Sequence, residues 1–397
     1  MGGVRTLVLT GIDTPPEELE ELGFRKINEG NVKEGLKAIL KAAKGYEERG
    51  NKEDAARLYK YLGYVLVKRV GVEKARPSLL KSAYLYIDLI EREIAKPDVD
   101  IDALDSYCSN VLEIFMLLND SKLLKKYAAE FASIYEDLGD SYAENNEIKL
   151  AIRAYESAFR YYRTIGDEEN YRRMAEKLIT LYGQLAEELL SKNLVGEAAD
   201  AFYELAKYTR VIFGYDIHYI EMMDTAARNY EKASKLAYSS GDLDGTTSYL
   251  VKAQYAYMLA RNFNRMKLIG LNTARMLYQV VSVHRSQGNN DMTAEKLMEL
   301  AEALVGIGKV KEGLESYKEA LNVRSNLPFK VRIRLAFLKK YAAEKTSAET
   351  LDEMEVVEFH MKKGNFPRAL DVANKALHNK EEMEKVLKAI TEAEGYY

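Results

Sequence analysis

The chain has 397 residues, 47% apolar and 30% charged, with 62 acids against 58 bases and a formal net charge of −4. A large core is affordable, and the near balance of charge excludes wholesale attraction to nucleic acid or to an acidic membrane. A single cysteine, Cys108, excludes an internal disulfide and fits a reducing cytoplasm. No run reaches the ~18 apolar residues of a membrane helix.

Residues 1–13 read as an N-terminal arm without the order of a signal peptide, with a hint of strand alternation at 4–9. A helix start follows at Thr14-Pro15-Pro16-Glu17, where Thr14 is placed to cap, Pro15 fits the first turn and Glu17 completes a capping box. From there to residue 380 apolar residues recur at three- and four-residue steps, the period of one helix face. Gly, Asn and Asp interrupt them at Gly30, Gly50, Gly71, Asn119, Asn146, Gly166, Asn193, Gly241, Gly288, Gly308 and Gly364. Glycine and asparagine tolerate the left-handed conformation that closes a helix. Many of these breaks lie about 20 residues apart, one helix of about five turns plus a tight connection. The expectation is about 18 helices in one continuous array over 14–380, with 381–397 as an amphipathic C-terminal capping helix. The stretch 329–344 fits poorly, falling between two helix pairs. Six prolines, no tryptophan and only four glutamines complete the picture. The glutamine scarcity beside many Glu, Lys and Arg points to a thermophilic source.

Aligned on the breaks, the chain repeats a pattern. A turn residue is followed by a small residue five positions on, a large one four further and a small or apolar one three further. The quartets are Gly30-Gly35-Ile39-Ala42, Gly50-Ala55-Tyr59-Leu62, Asn146-Ala151-Tyr155-Ala158, Asn193-Ala198-Phe202-Leu205, Gly308-Gly313-Tyr317-Ala320 and Gly364-Ala369-Ala373-Ala376. Small residues let antiparallel helices approach, and the large one fills the space against the next hairpin. Gly23 and Gly139 lie seven residues before their turns.

This pattern resembles the tetratricopeptide repeat, most closely in LGDSYAENNEIKLAIRAYESAF. The longer helices are similar to those of the soluble NSF-attachment-protein subgroup of that fold. The resemblance implies an all-α, right-handed superhelical solenoid of antiparallel helix pairs with a concave groove that binds peptides or helices. That subgroup carries a leucine near its C-terminus, whereas this chain ends in Glu394-Gly395-Tyr396-Tyr397, so the membrane-fusion role is not carried over.

Catalytic constellations do not emerge. GIGKVKEG lacks the first glycine of a phosphate loop (Ala303), the hydroxyl after Lys309 (Val310) and a preceding strand. His218, His284, His360 and His378 make no pair at metal spacing, so no cofactor or metal is expected. Tyrosine stands out with 29 copies. The repeat accounts for Tyr46, Tyr59, Tyr142, Tyr155 and Tyr317. Those beside arginine, in Arg160-Tyr161-Tyr162-Arg163 and Tyr171-Arg172-Arg173, are open to core packing or to a contact surface.

Charge gives the candidate site. No acid lies between Asp244 and Asp291, nor between Glu319 and Glu344. On the helix after Asn264, Arg265, Asn272, Arg275, Gln279, Ser282 and Ser286 fall within an arc of about 100° and form a strip about 30 Å long. In the second gap Lys330, Arg334 and Tyr341 share a face. Three readings compete: basic faces balanced by neighbouring helices, a groove for an acidic peptide or protein, and a nucleic-acid track. The expected function is a non-enzymatic scaffold binding a protein, peptide or helix of acidic character. An RNA-associated repeat protein and a module that sequesters another protein are the alternatives, and self-association through the open ends is compatible with each.

Overall fold

A computed structural model describes residues 14–214 and 216–324. Among these residues fourteen helices occur and no strand. They are α1 (Pro16–Asn28), α2 (Val32–Glu48), α3 (Lys52–Val70), α4 (Val72–Ile94), α5 (Ile101–Leu117), α6 (Ser121–Glu144), α7 (Ile148–Ile165), α8 (Glu168–Ser191), α9 (Val195–Phe213), α10 (Ile217–Ser239), α11 (Leu243–Leu259), α12 (Phe263–Ser286), α13 (Asn290–Gly306) and α14 (Val310–Val323). The count of about 18 ran over the whole chain, so fourteen is the figure for this span. The strand hint at 4–9, the turn at Gly364, the stretch 329–344 and the terminal segment 381–397 lie outside the described residues.

The chain divides into two compact units, residues 1–131 and 132–397, with the division inside α6. Within each, consecutive helices joined by short turns pack as antiparallel neighbours. From α4 onward lengths alternate: α4, α6, α8, α10 and α12 have 23, 24, 24, 23 and 24 residues, while α5, α7, α9, α11 and α13 have 17, 18, 19, 17 and 17.

The punctuation read from sequence is the punctuation found. All ten anticipated turn residues in the described span have positive φ, from Asn119 at 52° to Gly71 at 94°. Two more turns were not anticipated, at Gly214 (77°) and at Arg261 (56°), the second of which has neither glycine nor asparagine. Asp and Asn cap the following helices: Asn51, Asp100, Asp167, Asp216, Asp242, Asn262 and Asn289 each accept a backbone N–H of the first turn. The first helix corrects the expectation. Pro15 occupies the cap position, no side chain caps it, and Pro16 opens the helix instead of Pro15.

The quartet positions after the turn residue are the core. Ile39, Ala42, Ala55, Ala151, Ala158, Ala198 and Ala320 are fully buried, and Tyr59, Tyr155 and Tyr317 nearly so. Phe202 is the exception, at the border of its cluster. Close approach is visible at Gly35, where an added Cβ would lie 2.7 Å from the carbonyl oxygen of Gly23 on α1. Cys108 is buried in α5.

Burial settles the tyrosine question at Tyr161 and Tyr162, 4% and 7% exposed: they belong to the core. The hydroxyls reveal a second repeat. Tyr46, Tyr162 and Tyr257 donate to Glu20, Glu136 and Glu231 at 3.1, 2.9 and 2.7 Å, each 26 residues upstream. A guanidinium from the next helix closes each set: Arg57, Arg173 and Arg265 reach the same three carboxylates. Three consecutive helices are thus tied at one carboxylate, once as α1–α2–α3, once as α6–α7–α8 and once as α10–α11–α12. Tyr182 and Tyr208 vary the theme by sharing Glu156, 26 and 52 residues away.

Candidate partner-binding groove

The long helices α10 and α12 flank the shorter α11 and leave an open groove of about 810 Å³. One wall is the C-terminal half of α10, with Glu231, Lys235 and Tyr238; the other is α12, with Arg265, Asn272, Arg275 and Gln279; Thr246 and Leu250 of α11 lie beneath. All four site residues expected in this helix line the groove. Ser282 and Ser286 are exposed further along α12 and do not. Lys330, Arg334 and Tyr341 lie outside the described residues.

The α12 sequence positions these side chains by dividing its circumference. Met266, Ile269, Thr273, Leu277, Val280 and Val281 are buried on one side. At 100° per residue Asn272, Arg275 and Gln279 fall opposite, and all three are exposed. Apolar side chains share that outer face: Leu268 is 51% exposed and lines the groove, and Leu271 is 45% exposed. Tyr238, 61% exposed, faces them from α10. The surface therefore combines apolar contact area with amides that can both donate and accept.

Electrostatics correct part of the sequence reading. The acid-free gap is partly filled from other helices. Lys252 pairs with Asp200, Arg265 with Glu231, His284 with Asp244 and Arg285 with Glu319. Arg265 is therefore not a free clamp: its Nε donates to Glu231 at 2.9 Å. Burial pushes the Glu231 carboxyl up, but hydrogen bonds from Arg265 and Tyr257 outweigh it and hold the group below the usual carboxylate range. Arg275 differs. It is exposed in the groove and makes no hydrogen bond or ion pair with the described residues.

Behind α12 lies a polar cluster that the sequence did not announce. Lys296 of α13 is 1% exposed, and its Nζ donates to the Asp244 carbonyl at 3.0 Å, to Ser248 Oγ at 2.9 Å and to Glu299 Oε2 at 3.0 Å. His284 Nε2 lies 2.8 Å from Asp244 Oδ1. Burial pushes the Glu299 carboxyl up despite the charge of Lys296 beside it. The cluster joins α11, α12 and α13 and fixes the back of the groove wall. No group of three His, Cys, Asp or Glu side chains is arranged to hold a metal among the described residues, and none of their helices is long and apolar enough to cross a membrane.

No protein-family model matches the chain, and no curated relative matches it. Solved structures to which it is similar include a circular tandem repeat protein at 16% identity, covering 96% of this chain and 92% of that one with a TM-score of 0.30. Yeast Tom70 follows at 11% identity, 96% and 95% coverage and a TM-score of 0.20. The TPR domain of P58(IPK) is at 12% identity, 83% and 99% coverage and a TM-score of 0.19. At such scores these likenesses carry no argument; the architecture of tandem antiparallel helix pairs rests on the helices themselves.

Proposed function

We propose that the chain is a non-catalytic interaction scaffold that holds a segment of a partner protein in the α10–α12 groove, with an acidic side chain of that segment on Arg275. The observation that carries this reading is Arg275 itself. Four basic groups around it in sequence are matched by acids from neighbouring helices, and Arg261 and Lys267 lie outside the groove, while Arg275 stands exposed in it beside Leu268 and Tyr238 without a carboxylate. Arginine and tyrosine are the side chains that most often dominate interface energetics. Asn272 and Gln279, seven residues apart, are spaced about 10 Å along α12. They can bond a ligand's backbone on either side of the arginine.

The test uses arrays of acidic peptides and their charge-scrambled counterparts, with binding measured by fluorescence anisotropy. Arg275→Glu is expected to weaken the best acidic peptide at least tenfold, about 1.4 kcal/mol. The substitution is at an exposed position and should leave the melting temperature in place. Peptide binding that ignores Arg275→Glu, or that shows no preference for acids, overturns the reading.

A further inference from the structure

Several basic side chains of the first unit have an acid beside them. Lys26 pairs with Glu29, Arg49 with Glu17, Lys52 with Asp88, Arg57 with Glu20, Lys60 with Glu113 and Arg76 with Asp120. On α2 the pattern stops. Lys33, Lys37, Lys41 and Lys44 are all exposed, and none makes a hydrogen bond or ion pair with the described residues. At 100° per residue they fall within an arc of about 80° and form a ridge about 16 Å long, with charges about 6 Å apart. The opposite face, with Ala38, Ile39, Ala42, Ala43 and Tyr46, is buried, so the ridge cannot turn inward. Glu34 lies at its edge, between Lys33 and Lys37, and Glu48 follows one turn beyond Lys44.

The ridge extends sideways. Both α2 and α4 run antiparallel to α3 and hence in the same direction, and Lys81 of α4 pairs with Glu47 of α2. Lys74, seven residues before Lys81 on α4, is also exposed and makes no ion pair with the described residues.

Such an arrangement works against the fold. Like charges three or four residues apart on a helix repel. Lys33 also stands in the first turn, where the helix dipole disfavours a cation. A helix face shaped for stability alone would alternate signs, as at Glu168 and Arg172 of α8.

We propose that this ridge docks on the phosphate backbone of duplex nucleic acid without reading its sequence, independently of the α10–α12 groove. The chemistry of the face selects among polyanions. Lysine is depleted from the cores of protein interfaces. Leu40, 37% exposed, is the one large apolar side chain of α2 that reaches solvent, which leaves nothing to insert into a lipid surface. No aromatic side chain lies on the ridge to stack on unpaired bases. What remains is a row of mobile point charges, which suits phosphate oxygens presented by a regular duplex.

The experiment measures binding of the full chain to a short labelled DNA duplex by anisotropy across a salt series. Four phosphate contacts give a slope of log K against log salt of about −3.6, a loss of roughly 150-fold between about 50 and 200 mM. The double variant Lys37→Glu, Lys44→Glu replaces three lysine–lysine repulsions by attractions but sets the new acids against Glu34, Glu47 and Glu48, so the helix is left near its original stability. Its melting temperature is expected to hold while duplex affinity at low salt falls at least a hundredfold. Should it melt early, Lys37→Gln with Lys44→Gln takes its place, with an expected loss of about tenfold. Equal duplex affinity in wild type and variant overturns the proposal. So does a salt slope shallower than about half the stated value, or preferential binding to the single strand, to poly-L-glutamate or to phosphatidylserine vesicles. Peptide binding in the groove should survive both variants, so either reading can fail without the other.

Discussion

Replacing Glu136 by alanine removes the common anchor of three helices. Its carboxylate, 14% exposed, accepts from Tyr162 at 2.9 Å and from Arg173 Nη2 at 2.7 Å, with Lys177 at 3.4 Å. Without it the buried Tyr162 hydroxyl loses its acceptor and Arg173 loses its carboxylate, while Lys177 keeps Asp140. Breaking a well-buried ion pair costs about 3–5 kcal/mol. Arg173 is 46% exposed and Lys177 30%, so water recovers part of that, leaving about 2–3 kcal/mol. The effect has a pH signature. Burial pushes the Glu136 carboxyl up, but hydrogen bonds from Arg173 and Tyr162 and the charges of Arg173 and Lys177 outweigh it, so its folded pKa lies below the ordinary 4.5. A depressed folded pKa gives stability that is fully present above the unfolded value and disappears as pH falls through the folded one. Urea melts followed by circular dichroism should show the deficit of Glu136→Ala at neutral pH and its narrowing in acid. Glu136→Gln should flatten the acid limb while losing less at neutral pH. A deficit below about 0.5 kcal/mol, the usual surface range, or acid limbs that run parallel in wild type and variant, would refute the view that these carboxylates hold consecutive helices together.

Other perturbations follow from the same structure. In Gly139→Ala the new Cβ would lie 2.6 Å from Tyr155 Cδ1, and the Tyr155 hydroxyl is bonded to Asp140; a loss of about 1–3 kcal/mol is expected despite the helix preference of alanine. An unchanged or higher melting temperature contradicts it. Lys296→Met leaves Glu299 buried without its cation and should cost about 3–5 kcal/mol at neutral pH. Because the folded Glu299 pKa is raised, its penalty sets in as pH rises through the unfolded value and grows until the folded pKa is passed. The deficit should therefore shrink in acid, and adding Glu299→Leu should restore most of it. A deficit independent of pH contradicts that assignment.

The fold was legible because helix termination is chemically local. At Asn146 or Gly308 one residue decides whether the chain can adopt positive φ, and no distant contact needs to be known. Arg261 marks the limit. It turns at φ 56° without glycine or asparagine, between Ala260, which is buried, and Asn262, which caps α12. There packing on either side imposes a conformation that the residue itself does not favour. The Thr14 cap failed for a related reason: two prolines in succession both suit a helix start, and the choice between them belongs to the geometry of the chain entry.

Charge was legible only in part, and the two errors are opposite in kind. The stretch after Asp244 lacks acids along the sequence, yet Asp200, Glu231 and Glu319 reach its bases from helices 34 to 52 residues away. A local deficit was thus neutralised in space, and only Arg275 of the expected arginines keeps its charge open in the groove. On α2 the reverse holds. Glu34, Glu47 and Glu48 balance the lysines within the same short window, so composition looks ordinary. Projection at 100° per residue removes only Glu47, which turns toward Lys81 on α4; the four lysines share the solvent side with Glu34 at its edge and Glu48 beyond Lys44. Charge in a helical array is therefore a property of faces and of helix-to-helix offsets. The 26-residue step from carboxylate to tyrosine supplies that offset at Glu20, Glu136 and Glu231. Once it is known, a basic residue about ten positions beyond such a tyrosine can be assigned to a structural tie, as Arg57 and Arg173 are, and discounted as a partner site. Lys33, Lys37, Lys41 and Lys44 make no ion pair with the described residues, which is why binding to an external polyanion is the property to test on them.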